Sequence, residues 1–183
     1  NDLRGLTSLI QLDVIDTKFS DAGLEHLWEL PRLEWLHLDG TAITDLGMEH
    51  LKSLPNLEGL GLGNTQVGDK GLKHLSGLRN LDWLALNHTQ LTDGGLPHLQ
   101  GLTKITNLDL SHTLVTDSSL ATLKGMTKLF QLDLTKTPVT DAGLVHLREI
   151  KSLYFLFMKQ TGVTSAGRDQ FLKKLPHCDL RCD

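Results

Sequence analysis

Apolar positions along this chain follow one pattern that recurs every 24 residues. The second copy is the cleanest: Leu33, Leu36, Leu38, Ile43, Met48, Leu51 and Leu54. Leu36 and Leu38 alternate with Trp35 and His37, a period of two that predicts a short strand with one buried face. Met48, Leu51 and Leu54 follow three residues apart and predict a short helix with one buried side. Thr44 and Asp45 both stand where an N-cap belongs, and an acid there also suits the helix dipole. Pro31, Pro55 and Pro176 follow the helical segments and stop them. Thr17, Thr41, Thr65, Thr89, Thr113, Thr137 and Thr161 mark the register, with no slip from one copy to the next.

A single copy cannot bury its own leucines, so the copies must stack into a solenoid with a continuous apolar column. Neighbouring strands then pair in parallel at about 4.8 Å per copy. Strands are expected to start at Leu9, Leu33, Leu57, Leu81, Ile105, Leu129, Leu153 and His177, which makes a sheet roughly 34 Å across. Helices are wider than strands, so the stack should bend with the sheet inside. The expected fold is α/β: a right-handed horseshoe with a concave parallel sheet and short convex helices, one domain over residues 1–183 with about seven and a half repeats.

The string Leu33-Glu34-Trp35-Leu36-His37-Leu38-Asp39-Gly40-Thr41 and its six further copies resemble the leucine-rich repeat family across the whole chain. The Thr at the ladder position, together with T-D-x-G-L, is similar to the 24-residue repeats of bacterial proteins and to the repeats of F-box substrate receptors. Family members usually carry Asn at that position. Thr offers one hydroxyl donor where Asn offers two donors and an acceptor, so the ladder between repeats is expected to form with fewer bonds per rung. The resemblance implies a non-catalytic scaffold that recognises a protein partner on the concave face.

Composition narrows the picture in a few places. A net charge of -4 gives no encouragement to nucleic acid. No run of 18 apolar residues marks a membrane span. Nothing in the sequence calls for a cofactor, and no nucleophile elbow, phosphate loop or HExxH accompanies the acids, so no enzyme is expected. Leu3 and Leu6 match Leu27 and Leu30, which suggests a chain cut from a longer protein inside a preceding repeat. Arg168, Gln170, Lys173, Lys174 and His177 replace repeat residues with wettable ones, as a natural C-terminal end would. Cys178 and Cys182 lie about 13 Å apart on an extended strand, too far to bridge, and are expected as free thiols. Missing cysteine caps lean towards a reducing, cytoplasmic compartment.

Two columns are read as structural. His26, His50, His74, His98 and His146 form a line, whereas a metal site needs convergent ligands. Asp21, Asp45, Asp69, Asp93, Asp117 and Asp141 are read as helix caps. Function is expected at the outward strand positions, where the repeat rule is silent. Trp35 and Trp83 stand there with His37 beside them. They are expected some 9–10 Å apart over an empty floor of Gly59, Gly61 and Gly63, a gap that could take a sugar, another small ligand or an apolar side chain. Phe130, Tyr154, Phe155 and Phe157 should form an apolar patch for a partner or a second copy of this chain. The uncapped N-terminal end offers another route to self-association. Asp109 and Asp133, stacked with Asn107, Gln131 and His112 near them, should raise one pKa and suit a cation or a basic side chain. A structural spacer within a larger protein is the remaining alternative, and it predicts no such aromatic face.

Overall fold

A computed structural model describes residues 5–182; the reading placed on Leu3 lies outside them. The described residues form one parallel sheet in sequence order: β1 (Gln11–Asp13), β2 (Trp35–His37), β3 (Gly59–Gly61), β4 (Trp83–Ala85), β5 (Asn107–Asp109), β6 (Gln131–Asp133), β7 (Phe155–Phe157) and β8 (Asp179–Arg181). Every pairing joins residues 24 apart, from Leu12 with Leu36 to Leu156 with Leu180. The register is the one that the threonine spacing predicts.

The opposite side is less regular than the sheet. Single α-turns, α1 (Asp21–Leu24), α2 (Asp69–Leu72) and α3 (Asp117–Leu120), run on into 3-10 segments. The second and fourth copies have only 3-10 helix, over Gly47–Ser53 and Leu96–Leu99. Longer α-helices close the chain as α4 (Asp141–Leu147) and α5 (Ser165–Leu172). Three-residue spacing of the buried Met48, Leu51 and Leu54 fits the three-residue turn of a 3-10 helix. Between sheet and helices runs the apolar column, in which Leu36, Leu60, Leu84 and Leu132 are inaccessible to solvent. No helix among the described residues is long and apolar enough to cross a membrane.

Two sequence readings change here. The threonine hydroxyls do not bridge repeats. Each donates to a carbonyl three residues upstream in its own copy: Thr41 to Leu38, Thr65 to Leu62, Thr89 to Leu86, Thr113 to Leu110 and Thr137 to Leu134. The residue before each threonine explains why that local bond forms. Asp16, Gly40, Asn64, His88, His112, Lys136 and Gln160 all sit in the left-handed region, with φ between 53° and 67°. The chain turns sharply there and brings the hydroxyl back over its own strand exit. Asn, Asp and Gly tolerate that conformation best, and three of the seven positions use them.

The aspartates, read as caps of their own helices, are the link between repeats. Asp21 accepts from the Thr44 N–H at 2.9 Å and the Thr44 hydroxyl at 2.7 Å. Asp69 to Thr92, Asp93 to Thr116, Asp117 to Thr140 and Asp141 to Thr164 repeat the pair. The threonine is the cap: its hydroxyl also accepts from an N–H of its own helical turn, as Thr140 does from Ala142. Gly68 replaces this threonine in the third copy. Asp45 there takes the N–H groups of Gly68 and Gly71 directly, at 2.7 and 2.9 Å. The glycine of T-D-x-G makes room for the incoming carboxylate, since a Cβ on Gly143 would meet Asp117 Oδ1 at 2.5 Å.

The fifth copy, with Ser118 and Ser119 in place of Ala-Gly, supplies extra donors. Ser118 Oγ donates to Asp93, and Ser119 Oγ to the Thr116 carbonyl. Burial works against charge on Asp93, but hydrogen bonds from Ser118, Ser119 and Thr116 hold its pKa down to about 2.

Two expectations follow from this packing. Leu84→Ala should cost about 2–5 kcal/mol, and Thr89→Val about 1 kcal/mol, in equilibrium urea denaturation. A loss for Thr89→Val as large as that for Leu84→Ala would contradict a purely local role for the hydroxyl. Asp93 has a folded pKa below its unfolded one, so its contribution is complete above about pH 4 and lost as pH falls through about 2. The stability difference between wild type and Asp93→Asn should therefore hold steady from pH 7 to about 4.5 and shrink towards pH 2. A difference unchanged at pH 2 would mean that the carboxylate charge plays no part.

Candidate functional site

Parallel pairing sends the first and third residues of every strand outward and the middle leucine inward. Backbone bonds extend the ladder one residue upstream, as in Glu58 N–H to the Glu34 carbonyl and Tyr154 N–H to the Phe130 carbonyl. All nine candidate residues therefore lie on or at the rim of one face, but they gather into separate groups.

Trp35, His37 and Trp83 form the first group. The ring centroids of Trp35 and Trp83 are 6.5 Å apart and tilted by 38°. His37 stacks on Trp35 at 6.3 Å and meets Trp83 at 5.6 Å. The expected empty floor between the tryptophans is not there. A Cβ on Gly59 would collide with the six-membered ring of Trp35, and one on Gly61 with the carboxylate of Asp39. Gly63 is flanked by Asp39 and Asn87, and its N–H donates to Asp39 at 2.8 Å. The glycines are thus beds for neighbouring side chains. Strand spacing sets where the Cα atoms stand, but Trp35 leans one strand over and closes the gap.

The second group is a packed aromatic cluster. Phe130 stacks on Tyr154 at 5.4 Å, and Phe155 meets both edge-on, at 5.4 and 4.8 Å. Phe157 stacks on Phe155 at 6.4 Å. Phe130 and Tyr154 remain exposed, at 43% and 42%, so contact among the rings leaves an open apolar surface. Arg181, which the sequence pattern did not single out, covers the far side. Its guanidinium lies 5.7 Å from the Phe155 ring and 5.3 Å from Phe157, and Asp179 holds it by two bonds of 3.0 and 2.8 Å. The signal was present in the register, since Arg181 stands 24 residues after Phe157.

Between the groups lie Asp109 and Asp133, paired across β5 and β6. Each carboxylate accepts from the backbone two residues on, Asp109 from Ser111 N–H at 2.9 Å and Asp133 from Thr135 N–H at 2.8 Å. The pKa of Asp109 is raised as expected, but chiefly by burial, with Asp133 a smaller influence. His112 does not join them directly: its ring stacks on His88 at 3.7 Å. Burial, His88 and Lys136 lower its pKa. Among the described residues no group of three His, Cys, Asp or Glu is placed to hold a metal ion.

Neither Cys178 nor Cys182 is joined in a disulfide. Cys178 is buried, and burial first, then Asp179, pushes its pKa up to about 12, which leaves it unreactive near neutral pH. At the N-terminal end the column opens into a cavity of about 470 Å³ between Leu12, Val14, Phe19 and Gly23.

The leucine rich repeat family profile matches residues 31–91. No curated protein matches the chain by sequence. Among solved structures, internalin C2 of Listeria monocytogenes superposes with a TM-score of 0.83 at 25% identity, covering 97% of this chain and 73% of that one. A second internalin of that organism, InlF, gives 0.75 at 23% identity over 99% of this chain and 56% of its own. A leucine-rich-repeat protein of Leptospira interrogans gives 0.71 at 20% identity over 96% of this chain and 49% of its own. The chain thus spans less than two thirds of the latter two, and those two likenesses concern the fold alone.

The packing of Trp35 on β3 yields one expectation. Gly59→Ala should expel the indole, red-shifting the tryptophan emission and weakening the near-ultraviolet circular dichroism while the far-ultraviolet spectrum holds. Unchanged tryptophan spectra would mean that the ring does not rest on Gly59.

Proposed function

We propose that this chain is a leucine-rich-repeat scaffold without catalysis whose concave sheet face binds a protein partner, a reading supported by the family profile over residues 31–91 and by the superposition on internalin C2. The observation that carries this reading is the aromatic content of the outward strand positions. Equivalent positions in other copies hold Gly, Asn, Gln or Asp, so the repeat does not require rings there. Rings open to solvent add little to stability, whereas Trp and Tyr are enriched at binding hot spots. The two clusters are held by ring–ring and ring–cation contacts, so little side-chain freedom is lost when a partner docks.

With a partner identified by affinity capture and its binding quantified by calorimetry, Trp83→Ala or Phe157→Ala should weaken association at least tenfold. The melting temperature should stay within a few degrees. Lys73→Ala, on the helical side, should leave binding unchanged. Loss of binding with Lys73→Ala, together with silence of both aromatic changes, would move the binding surface to the convex side and end this reading.

A further inference from the structure

Charge is distributed unevenly over this solenoid. Four ladder columns make up the sheet face: the three strand positions that point outward or begin the ladder, and the first outward position after the strand. Among the described residues they carry eight carboxylates: Asp13, Glu34, Asp39, Glu58, Asp82, Asp109, Asp133 and Asp179. They carry two cations, Lys159 and Arg181. The formal balance of the face is minus six, while residues 5–182 as a whole, without Asp2, Arg4 and Asp183, hold 17 Lys and Arg against 20 Asp and Glu, so the rest of the described surface is net positive. Arg181 is tied to Asp179, at the far end of the sheet. Asp109 and Asp133 are the acids that stand between the two aromatic groups, with Trp83 on the strand before them and Phe155 on the strand after.

From this arrangement we infer that the partner segment on the concave face is cationic at its centre and apolar on both sides, with Lys or Arg seated over Asp109 and Asp133. The inference rests on the concave-face reading above and adds the chemistry of the occupant. Trp83 on β4 and Phe155 on β7 stand three strand spacings apart, about 14 Å. An extended peptide covers that distance in about four residues, so two apolar side chains can reach the two clusters while the residues between them cross β5 and β6. The floor is shaped for charge as well as carrying it. Asp109 and Asp133 are each held by a backbone N–H two residues on, and the Ser111 side chain also bonds Asp109, so both charges stand at fixed places on the floor. An acidic or neutral segment of the same shape would lose the attraction and meet repulsion, which is how a charged floor between apolar anchors selects its occupant.

Three synthetic peptides test this by fluorescence anisotropy. The first has two tryptophans four residues apart with lysines between them, the second has glutamates in place of the lysines, and the third keeps the lysines with serines in place of the tryptophans. The first should bind at least tenfold more tightly than either of the others. Raising salt to about 0.5 M should weaken it about tenfold. Asp109→Asn with Asp133→Asn should weaken it at least fivefold, and Asn retains the turn-closing acceptor, so the fold is kept. Equal binding of the lysine and glutamate peptides, or binding of none, overturns the cationic assignment. If the lysine and glutamate peptides bind equally and both are lost in Phe157→Ala, the concave-face reading stands and only the charge inference fails. If the first peptide binds but ignores Trp83→Ala, Phe157→Ala and the Asn pair alike, both readings fall.

Discussion

The stack depends on a carboxylate that reaches from one repeat into the next. On the sheet side, each copy is joined to its neighbour by parallel backbone bonds, three residues to a strand. Backbone bonds carry the link on past the strand, as from Gly40 N–H to the Gly63 carbonyl and from Gln66 N–H to the Ile43 carbonyl. On the other side, the aspartate of one copy takes an N–H and a hydroxyl from the threonine one copy on, or, for Asp45, two backbone N–H groups at Gly68 and Gly71. Two lines of attachment, separated by the width of the leucine column, fix both the distance and the angle between copies. The threonine then passes the constraint inward by capping its own turn. One side-chain pair thus ties neighbouring copies on the helical side, beside the backbone bonds of the sheet, and starts the following helical turn. This is why a solenoid with single-turn helices can hold its register over eight strands.

That division of labour leaves the outward sheet positions free. Leu, Thr, Asp and Gly satisfy the repeat, and none of them stands at the first or third strand position of every copy. Residues there are held only by what they touch on the adjacent strands. Trp35 uses the missing side chain of Gly59 as a bed, Phe155 uses Phe130 and Tyr154, and Arg181 uses Phe157 and Asp179. The proposed binding surface and the fold therefore draw on different columns of the same sequence.

Period, register and burial are legible in the amino-acid sequence alone, because each follows from which residues alternate and how often. Direction is not. A recurring column states that a residue serves the repeat, but a threonine hydroxyl can donate forward to the next copy or back to its own strand. The left-handed residue ahead of it decides the matter. That column could have been found from Gly40, Asn64 and Asp16, but His88, His112, Lys136 and Gln160 conceal it. Asp141 and its equivalents mislead for a related reason: capping and bridging call for the same residue at the same place, and only the position of the partner threonine tells them apart. For the candidate site, strand spacing placed Trp35, Trp83, Phe155 and Phe157 on their strands, with Phe130 and Tyr154 one residue ahead of theirs, but could not give rotamers. A glycine beside a tryptophan can be an open floor or a filled one, and Trp35 fills it.

The concentration of like charge on the sheet face bears on how such a surface could act. Carboxylates packed on adjacent strands repel one another, and a chain selected for stability alone would disperse them. Here several are pinned instead: Asp13 to the Ile15 N–H, Asp39 to the Gly63 N–H, Asp109 to Ser111 and Asp133 to Thr135. Each bond fixes a charge that would otherwise swing into solvent and be screened there. The burial that raises the Asp109 pKa also means that its ionised form is poorly hydrated. A cation arriving over it supplies what water does not. Fixed, underhydrated charge between immobile rings loses little freedom on binding, so the free energy of contact is not spent on ordering the surface. The acidic sheet face set against a net-positive remainder is the electrostatic basis of the proposed cationic occupant.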